Sequence, residues 1–258
     1  MMSISAACGC SVGDGREHNE DNFYFHKKHL TIPNKALKNP IKCKENTENP
    51  VAFAVFDGMG GASKGEVASK IAAEVFSKEF KVLDEIVFTG KEFMLRTCEK
   101  MNTAVNSFRK ENQLSTMGTT FAAVYFDMNE VVAANVGDSK IFRIRDSKMH
   151  QLSEDHTDAN IMASVGINKK SVLLQYIGVP QTELTIDPYV SKGDIKSGDI
   201  YVLCTDGVTD TIGTNELFKI IISKDDVCDA VRDVMAQINI NNGSDNATII
   251  VIKCIDRK

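Results

Sequence analysis

The amino-acid sequence predicts a layered fold in which helices pack on mainly antiparallel β-sheet, and three observations carry that expectation. Short apolar runs rich in Val, Ile and Phe recur at Val51–Phe56, Thr119–Phe126, Val131–Val136, Lys140–Arg145, Ile200–Cys204 and Ala247–Cys254. Such runs are the signature of strands buried in a core. Two long amphipathic segments follow one another between the first and second of these runs. Elsewhere strands succeed strands at hairpin-like spacing, which argues against regular strand–helix winding around a parallel sheet.

Taken in order, Ile4–Val12 opens the chain as a further strand, and Asn22–Phe25 follows directly behind Asp21. Residues 26–50 are polar and basic and carry Pro33, Pro40 and Pro50. They read as an irregular insertion. After Val51–Phe56, the stretch Gly65–Phe80 places Val67, Ile71, Val75 and Phe76 on one helical face. In Lys91–Lys110, Met94, Cys98, Met101, Val105 and Phe108 alternate spacings of four and three, so this helix also turns one stripe inward. A core-facing stripe accounts for its methionines without any cofactor. Residues 155–179 read as a polar loop with a short helix at 159–165. Asp225–Ile238 is the last expected helix, with Val227, Ala230, Val231 and Val234 inward. Without internal repeat, linker or charged tail, one domain over residues 1–258 is the simplest organisation.

Composition narrows the functional classes. Apolar residues at 43% and charged residues at 25% match globular usage and exclude disorder. Lys and Arg number 30 against 35 Asp and Glu, a net charge of −5 that lacks the basic footprint of a nucleic-acid binder. No apolar run approaches the roughly 18 residues of a membrane span, and the polar start does not resemble a signal peptide. The seven cysteines are odd in number, form no CxxC pair and fall partly inside apolar runs. They read as reduced thiols of a cytoplasmic protein. Cys8-Gly9-Cys10 is a candidate redox or metal pair, but no partner cluster accompanies it.

The informative acids are those at strand termini. Val51–Phe56 runs into Asp57-Gly58, Val131–Val136 into Gly137-Asp138, and Ile200–Thr205 into Asp206-Gly207. Asp245 and Asp21 instead stand just before the strands Ala247–Cys254 and Asn22–Phe25. Antiparallel pairing sets the end of one strand beside the start of its neighbour, so all five can converge on one sheet rim. A single Asp-Gly is an ordinary turn signal. Five acids so placed would repel one another unless cations joined them, and removing them would bring the net charge to zero. Oxygen ligands without a His/Cys cluster select hard ions such as Mg²⁺ or Mn²⁺ over Zn²⁺.

Several ordered motifs then resemble a known family. Arg16 is followed by Asn19-Glu20-Asp21 and by Phe53-Ala54-Val55-Phe56-Asp57-Gly58-Met59-Gly60-Gly61. Met117-Gly118-Thr119-Thr120, Asn135-Val136-Gly137-Asp138-Ser139-Lys140 and Leu152-Ser153-Glu154-Asp155-His156-Thr157 come next. Cys204-Thr205-Asp206-Gly207-Val208-Thr209-Asp210 and Ser244-Asp245-Asn246-Ala247-Thr248 complete the series. Together these resemble the metal-dependent type 2C (PPM) Ser/Thr protein phosphatases, in the bacterial-type branch, across about residues 4–254.

That resemblance implies an α+β fold, a four-layer α-β-β-α sandwich with two central, mainly antiparallel β-sheets flanked by helices. It implies that Asp57 bridges two Mn²⁺ or Mg²⁺ ions, that the Gly58 carbonyl binds the first, and that Asp21, Asp206 and Asp245 serve the second directly or through water. Asp138, with Asp206, matches a third, weaker ion position; Glu20 and Asp210 match auxiliary outer positions. The implied reaction is hydrolysis of phosphoserine or phosphothreonine by a metal-bridging hydroxide, with Arg16 holding the phosphate through its two-pronged guanidinium. The implied partners are phosphorylated proteins and an opposing Ser/Thr kinase.

Three departures accompany the resemblance. Met59 stands where many eukaryotic relatives carry a His proposed as general acid, and His156 is expected to be structural. The flap at residues 156–178 is short, and Leu174-Gln175-Tyr176-Ile177-Gly178 lacks the family's usual Thr-Arg. The 26–50 insertion is longer than bacterial relatives usually carry. Two alternatives stay open at this stage: a catalytically weak phosphoprotein-binding module on the same fold, and a small-molecule phosphomonoesterase.

Overall fold

A computed structural model describes residues 2–59, 64–82, 89–128, 130–159, 162 and 171–256. Along the chain run β1 (Met2–Ser11), β2 (Asn22–Tyr24), β3 (Ile41–Asn46), β4 (Val51–Phe56), β5 (Gly58–Met59), α1 (Gly65–Lys81) and α2 (Gly90–Glu111). Then come β6 (Gly118–Thr119), β7 (Phe121–Asp127), β8 (Glu130–Val136), β9 (Lys140–Arg145), β10 (Lys148–Gln151), β11 (Tyr189–Asp194) and β12 (Ile200–Cys204). α3 (Asp206–Ile222), α4 (Val227–Ile240) and β13 (Ala247–Asp256) complete the order.

The strands form a six-stranded sheet, β10-β9-β12-β13-β1-β3, and a five-stranded sheet, β11-β8-β7-β4-β2, with β5 and β6 as a separate pair. All strand pairs are antiparallel. Strand alternation explains why the sheets stack. In β4, Val51, Phe53 and Val55 enter the core between the sheets, whereas Ala52, Ala54 and Phe56 face α1 and α2. In β13, Ile250, Ile252 and Cys254 face the other sheet, whereas Ile249 and Val251 face α3 and α4. Both faces of these strands are covered, so they read as continuous apolar runs. Each fully buried Phe or Ile contributes about 1.5–3 kcal/mol, and the three apolar layers hold the four-layer α-β-β-α sandwich together.

Helices α1, α2 and α4 lie where the periodicity expects them, but α1 buries Ala68, Ala72, Ala73 and Phe76, whereas the expected Val67, Ile71 and Val75 are only half-buried beside that face. Thr89 and Glu92 cap α2 reciprocally, and the Asp226 side chain accepts from the Cys228 and Asp229 N–H groups at the start of α4. Tyr24, Phe76 and Phe93 fasten the first helix pair to its sheet, with ring centroids 5.0 and 5.5 Å apart.

Three readings need correction. The 26–50 stretch is not irregular throughout, because residues 41–46 form β3 on the edge of the six-stranded sheet. Lys42 and Lys44 face solvent there while Cys43 turns inward, and such one-sided alternation in a charged segment hides a strand. Asp206-Gly207 opens α3, a helix that the expected elements did not include and whose apolar period is interrupted at Gly213, with φ 70° and ψ 155°. The run 119–126 is two strands, broken at Thr120. The expected helix at 159–165 falls largely outside the described residues, as do Gly60 and Gly61.

Candidate metal centre

The carboxylates singled out by their positions meet at one end of the sandwich. Arg16, Glu20, Asp57, Asp138, Asp206 and Asp245 line a cleft of about 260 Å³. Gly58 and Met59 line it beside them, as do Val172 and Leu173 of the flap.

Asp57 follows β4, and its backbone is locked on both sides. Its N–H donates to Thr120 Oγ1 at 3.0 Å, and its carbonyl accepts from the Thr119 hydroxyl and the Thr120 N–H, both at 2.8 Å. This explains the break at Thr120, whose groups leave the sheet to hold Asp57. Gly58 donates to the Glu20 carbonyl at 3.1 Å, and a Cβ there would lie 2.3 Å from the Gly65 carbonyl oxygen. Only glycine allows the start of α1 to approach this closely.

Asp21 does not itself line the cleft; it is 3% exposed and interacts electrostatically with the cleft acids Asp57, Asp206 and Asp245. Its Oδ2 accepts from the Thr205 hydroxyl at 2.9 Å and the Thr248 hydroxyl at 2.7 Å. Its Oδ1 is buried and has no hydrogen-bond partner among the described residues. Burial pushes its pKa up to about 7; the two threonines oppose that rise, and the charges of Asp206 and Asp245 add to it. Burial, followed by the charges of Asp21, Asp206 and Asp138, holds the Asp57 carboxyl well above its usual range, and Asp57 shares a hydrogen bond with Asp206.

Asp138 follows Gly137, whose φ of +98° turns the chain after β8. Burial and then Asp206 raise its pKa to about 6, against the opposing charge of Lys140. The Gly137 N–H donates to His156 Nδ1 at 3.2 Å, and the His156 N–H donates to the Gly137 carbonyl at 3.0 Å. His156 therefore braces the turn that presents Asp138, as its structural reading expects. Asp206 is the first residue of α3, at the positive end of that helix. Asp245 precedes β13 and pairs with Arg16 Nη2 at 2.8 Å, while Arg16 Nε donates to the Ser244 carbonyl at 3.2 Å. Burial, then Glu66, raises the Glu20 pKa, with Arg16 opposing. Asp210 is exposed on α3 and lies outside the cleft lining.

These residues fit divalent ions. The donor set is all oxygen, its charges strain against one another, and an orphaned carboxylate oxygen of Asp21 is buried among them. A hard dication supplies what each of these features lacks.

Sequence reasoning assigned no role to the residues that hold the acids. Asn246, 4% exposed, accepts from the Glu20 N–H at 2.8 Å and donates to the Val12 and His18 carbonyls at 2.6 and 2.9 Å. It joins the start of β13 to the loop that carries Arg16, Glu20 and Asp21. Thr205 and Thr248 fix Asp21. The available signal was polar residues at the ends of otherwise apolar runs, where a buried hydroxyl or amide must find a partner.

A carboxylate-rich oxygen site at the rim of an α-β-β-α sandwich fits the chemistry of a divalent-metal enzyme. The chain belongs to the protein phosphatase 2C family, whose model matches residues 41–242. It is 29% identical over 222 residues to the serine/threonine phosphatase stp of Listeria monocytogenes serotype 4b, covering 81% of this chain and 86% of that protein. It is 26% identical over 210 residues to protein phosphatase PhpP of Streptococcus pneumoniae serotype 2, covering 76% and 82%. The fold is similar to the crystal structure of the catalytic domain of the serine/threonine protein phosphatase PstP, with a TM-score of 0.78, 22% identity and coverage of 99% and 100%.

Proposed function

We propose that this chain is a metal-dependent phosphoprotein phosphatase that hydrolyses phosphoserine and phosphothreonine, working as a single domain over residues 1–258. The convergence of Asp57, Asp138, Asp206 and Asp245 on one cleft, beside the buried Asp21 oxygen that has no partner among the described residues, carries this reading. The similar PstP catalytic domain is a complex with two manganese ions. Here two Mn²⁺ or Mg²⁺ ions would be held by Asp57, the Gly58 carbonyl, Asp21, Asp206 and Asp245, with Asp138 and Asp206 at a third, weaker position. Glu20 and Asp210 are assigned outer, auxiliary roles. When bound, the ions supply the acidity that makes water a nucleophile at neutral pH and neutralise charge on the phosphate.

The chain's own groups do the rest. Arg16 is exposed enough to swing from Asp245 to a phosphate, which it binds through two parallel N–H donors. Thr119 and Thr120 fix the Asp57 backbone and so set the position from which its carboxylate reaches the cleft. Met59 borders the cleft but has no proton to give a departing serine or threonine oxygen, and His156 is committed to Gly137. Among the described residues, neither Met59 nor His156 therefore serves as the proton donor to the leaving group.

The substrates are phosphorylated proteins opposed by a Ser/Thr kinase. Seven unpaired, buried cysteines support a reducing, cytoplasmic location. Among the described residues no helix is long and apolar enough to cross a membrane.

The test is turnover of a phosphoserine/phosphothreonine peptide panel with Mn²⁺, with EDTA, and with Asp57→Asn. Activity should need Mn²⁺ or Mg²⁺, vanish in EDTA, and fall by at least about 10²-fold in the variant at saturating metal. Full turnover in EDTA, or an unimpaired variant, would refute the assignment.

A further inference from the structure

A second cluster of potential ligands shares no residue with the cleft and lies where the edges of the two sheets approach each other. Strand β2 is the edge of the five-stranded sheet and β3 the edge of the six-stranded one. Phe25 and Lys28 exchange backbone hydrogen bonds of 2.8 and 2.9 Å, closing a two-residue turn whose central residues, His26 and Lys27, have φ of 48° and 60°. Both angles lie in the left-handed region, as a primed hairpin turn requires. This turn holds the His26 ring over β3. Cys43 and Glu45 are two residues apart on β3 and so share one face.

The geometry points to a Zn²⁺-class metal site formed by His26, Cys43 and Glu45. One donor atom from each lies within 4.8 Å of the other two, and among the described residues no other His/Cys/carboxylate trio comes so close. His26 Nδ1 already contacts Glu45 Oε1. Zinc takes imidazole nitrogen, thiolate and carboxylate at about 2.0–2.3 Å, and donors around a tetrahedral ion fall inside the observed separation. The donor set also sorts the ion. A thiolate and an imidazole favour Zn²⁺ over the Mg²⁺ or Mn²⁺ that an all-oxygen cleft prefers.

A second observation points to a ligand at the same place. Tyr24, 1% exposed, lines a cavity of about 130 Å³ together with His26 and Glu45, and its buried hydroxyl has no hydrogen-bond partner among the described residues. Three protein ligands leave a fourth position on the ion. Water held there gives the Tyr24 hydroxyl the partner it lacks. Lys27 borders the cavity too, but its long side chain can carry the ammonium out to solvent. Binding exchanges the Cys43 thiol proton for the ion and releases that proton to solvent. The bound ion would tie the β2 turn to β3, joining the two sheets at their open edges.

Co²⁺ titration followed by absorption spectroscopy tests this, because a thiolate ligand produces near-ultraviolet charge-transfer absorption that the oxygen ligands of the cleft cannot. The full chain should gain this absorption with one equivalent of Co²⁺ and lose it when Zn²⁺ is added. The signal should persist in Asp57→Asn, disappear in Cys43→Ser, and need at least ten times more Co²⁺ in His26→Ala. His26 is half-exposed, so the last variant reports on ligation even if Cys43→Ser folds poorly. No charge-transfer absorption in the full chain, or absorption with unchanged affinity in His26→Ala, would overturn the proposal.

Discussion

Arg16 and Asp245 sit 2.8 Å apart, so the guanidinium assigned to phosphate is also the counter-charge of a proposed metal ligand. Once a cation joins Asp245, that carboxylate no longer needs Arg16, which is then free for substrate. Arg16→Ala should therefore raise KM by about 10–100-fold, the loss of hydrogen bonds worth about 1.5–3 kcal/mol, with kcat much less affected. Mn²⁺ affinity should stay equal or increase, because the competing cation has gone. Calorimetry that found Mn²⁺ binding weakened would remove Arg16 from the phosphate role. Thr248 acts at the same scale through Asp21. Thr248→Val keeps the side chain's shape but deletes one of the two hydroxyl donors to Asp21 Oδ2. Loss of such an outer partner typically costs about 10–100-fold in metal affinity, so the variant should need that much more Mn²⁺ for half-maximal rate. Its rate at saturating metal should approach that of the unmodified chain. An unchanged Mn²⁺ requirement would show that Thr205 alone positions Asp21.

Elements meet at the cleft with little room to spare. The start of α3 presses on the residues entering β13, and a Cβ at Gly207 would lie 2.0 Å from the Asn246 carbonyl oxygen. Backbone cannot yield as a flexible side chain can. Gly207→Ala should therefore force α3 and β13 apart, destabilising the fold by about 1–3 kcal/mol through overpacking. The same displacement should weaken metal binding, because Asp206 and Asp245 flank the contact. Urea denaturation alongside Mn²⁺ titration checks both effects. An alanine variant with native stability and native Mn²⁺ affinity would mean that the contact does not set the cleft.

The whole molecule keeps its acids together at a cost that depends on pH. Asp21 rises from 3.8 to about 7 and Asp138 from 3.8 to about 6. Between those limits the folded chain binds more protons than the unfolded chain. The metal-free fold is thus favoured below the unfolded pKa and loses that advantage as pH climbs through the folded values. In EDTA, the urea midpoint should fall between about pH 5 and about pH 7.5. Saturating Mn²⁺ should raise the midpoint most at the higher pH, where the carboxylates are ionised and bind it best. A midpoint in EDTA that rises over this interval would contradict the burial and mutual repulsion inferred for the cleft.

Strands such as β4 and β13 were legible in the sequence because both faces are buried, leaving unbroken apolar runs; α1, α2 and α4 were legible from a single apolar stripe. The placement of Asp57, Asp138, Asp206, Asp21 and Asp245 at strand termini was equally local, as was the family resemblance of the motifs around them. These features depend on neighbours along the chain. β3 was not legible, because an edge strand with lysines outward reads like a loop until β1 pairs with it. α3 was hidden by the break at Gly213. The hydrogen bonds from Thr205 and Thr248 to Asp21, the Arg16–Asp245 pair and the approach of His26 to Cys43 were decided only in three dimensions. Each joins residues whose meeting depends on which strands pair and which edges face each other. Burial of side chains distant in sequence sets that order, so no local pattern encodes it.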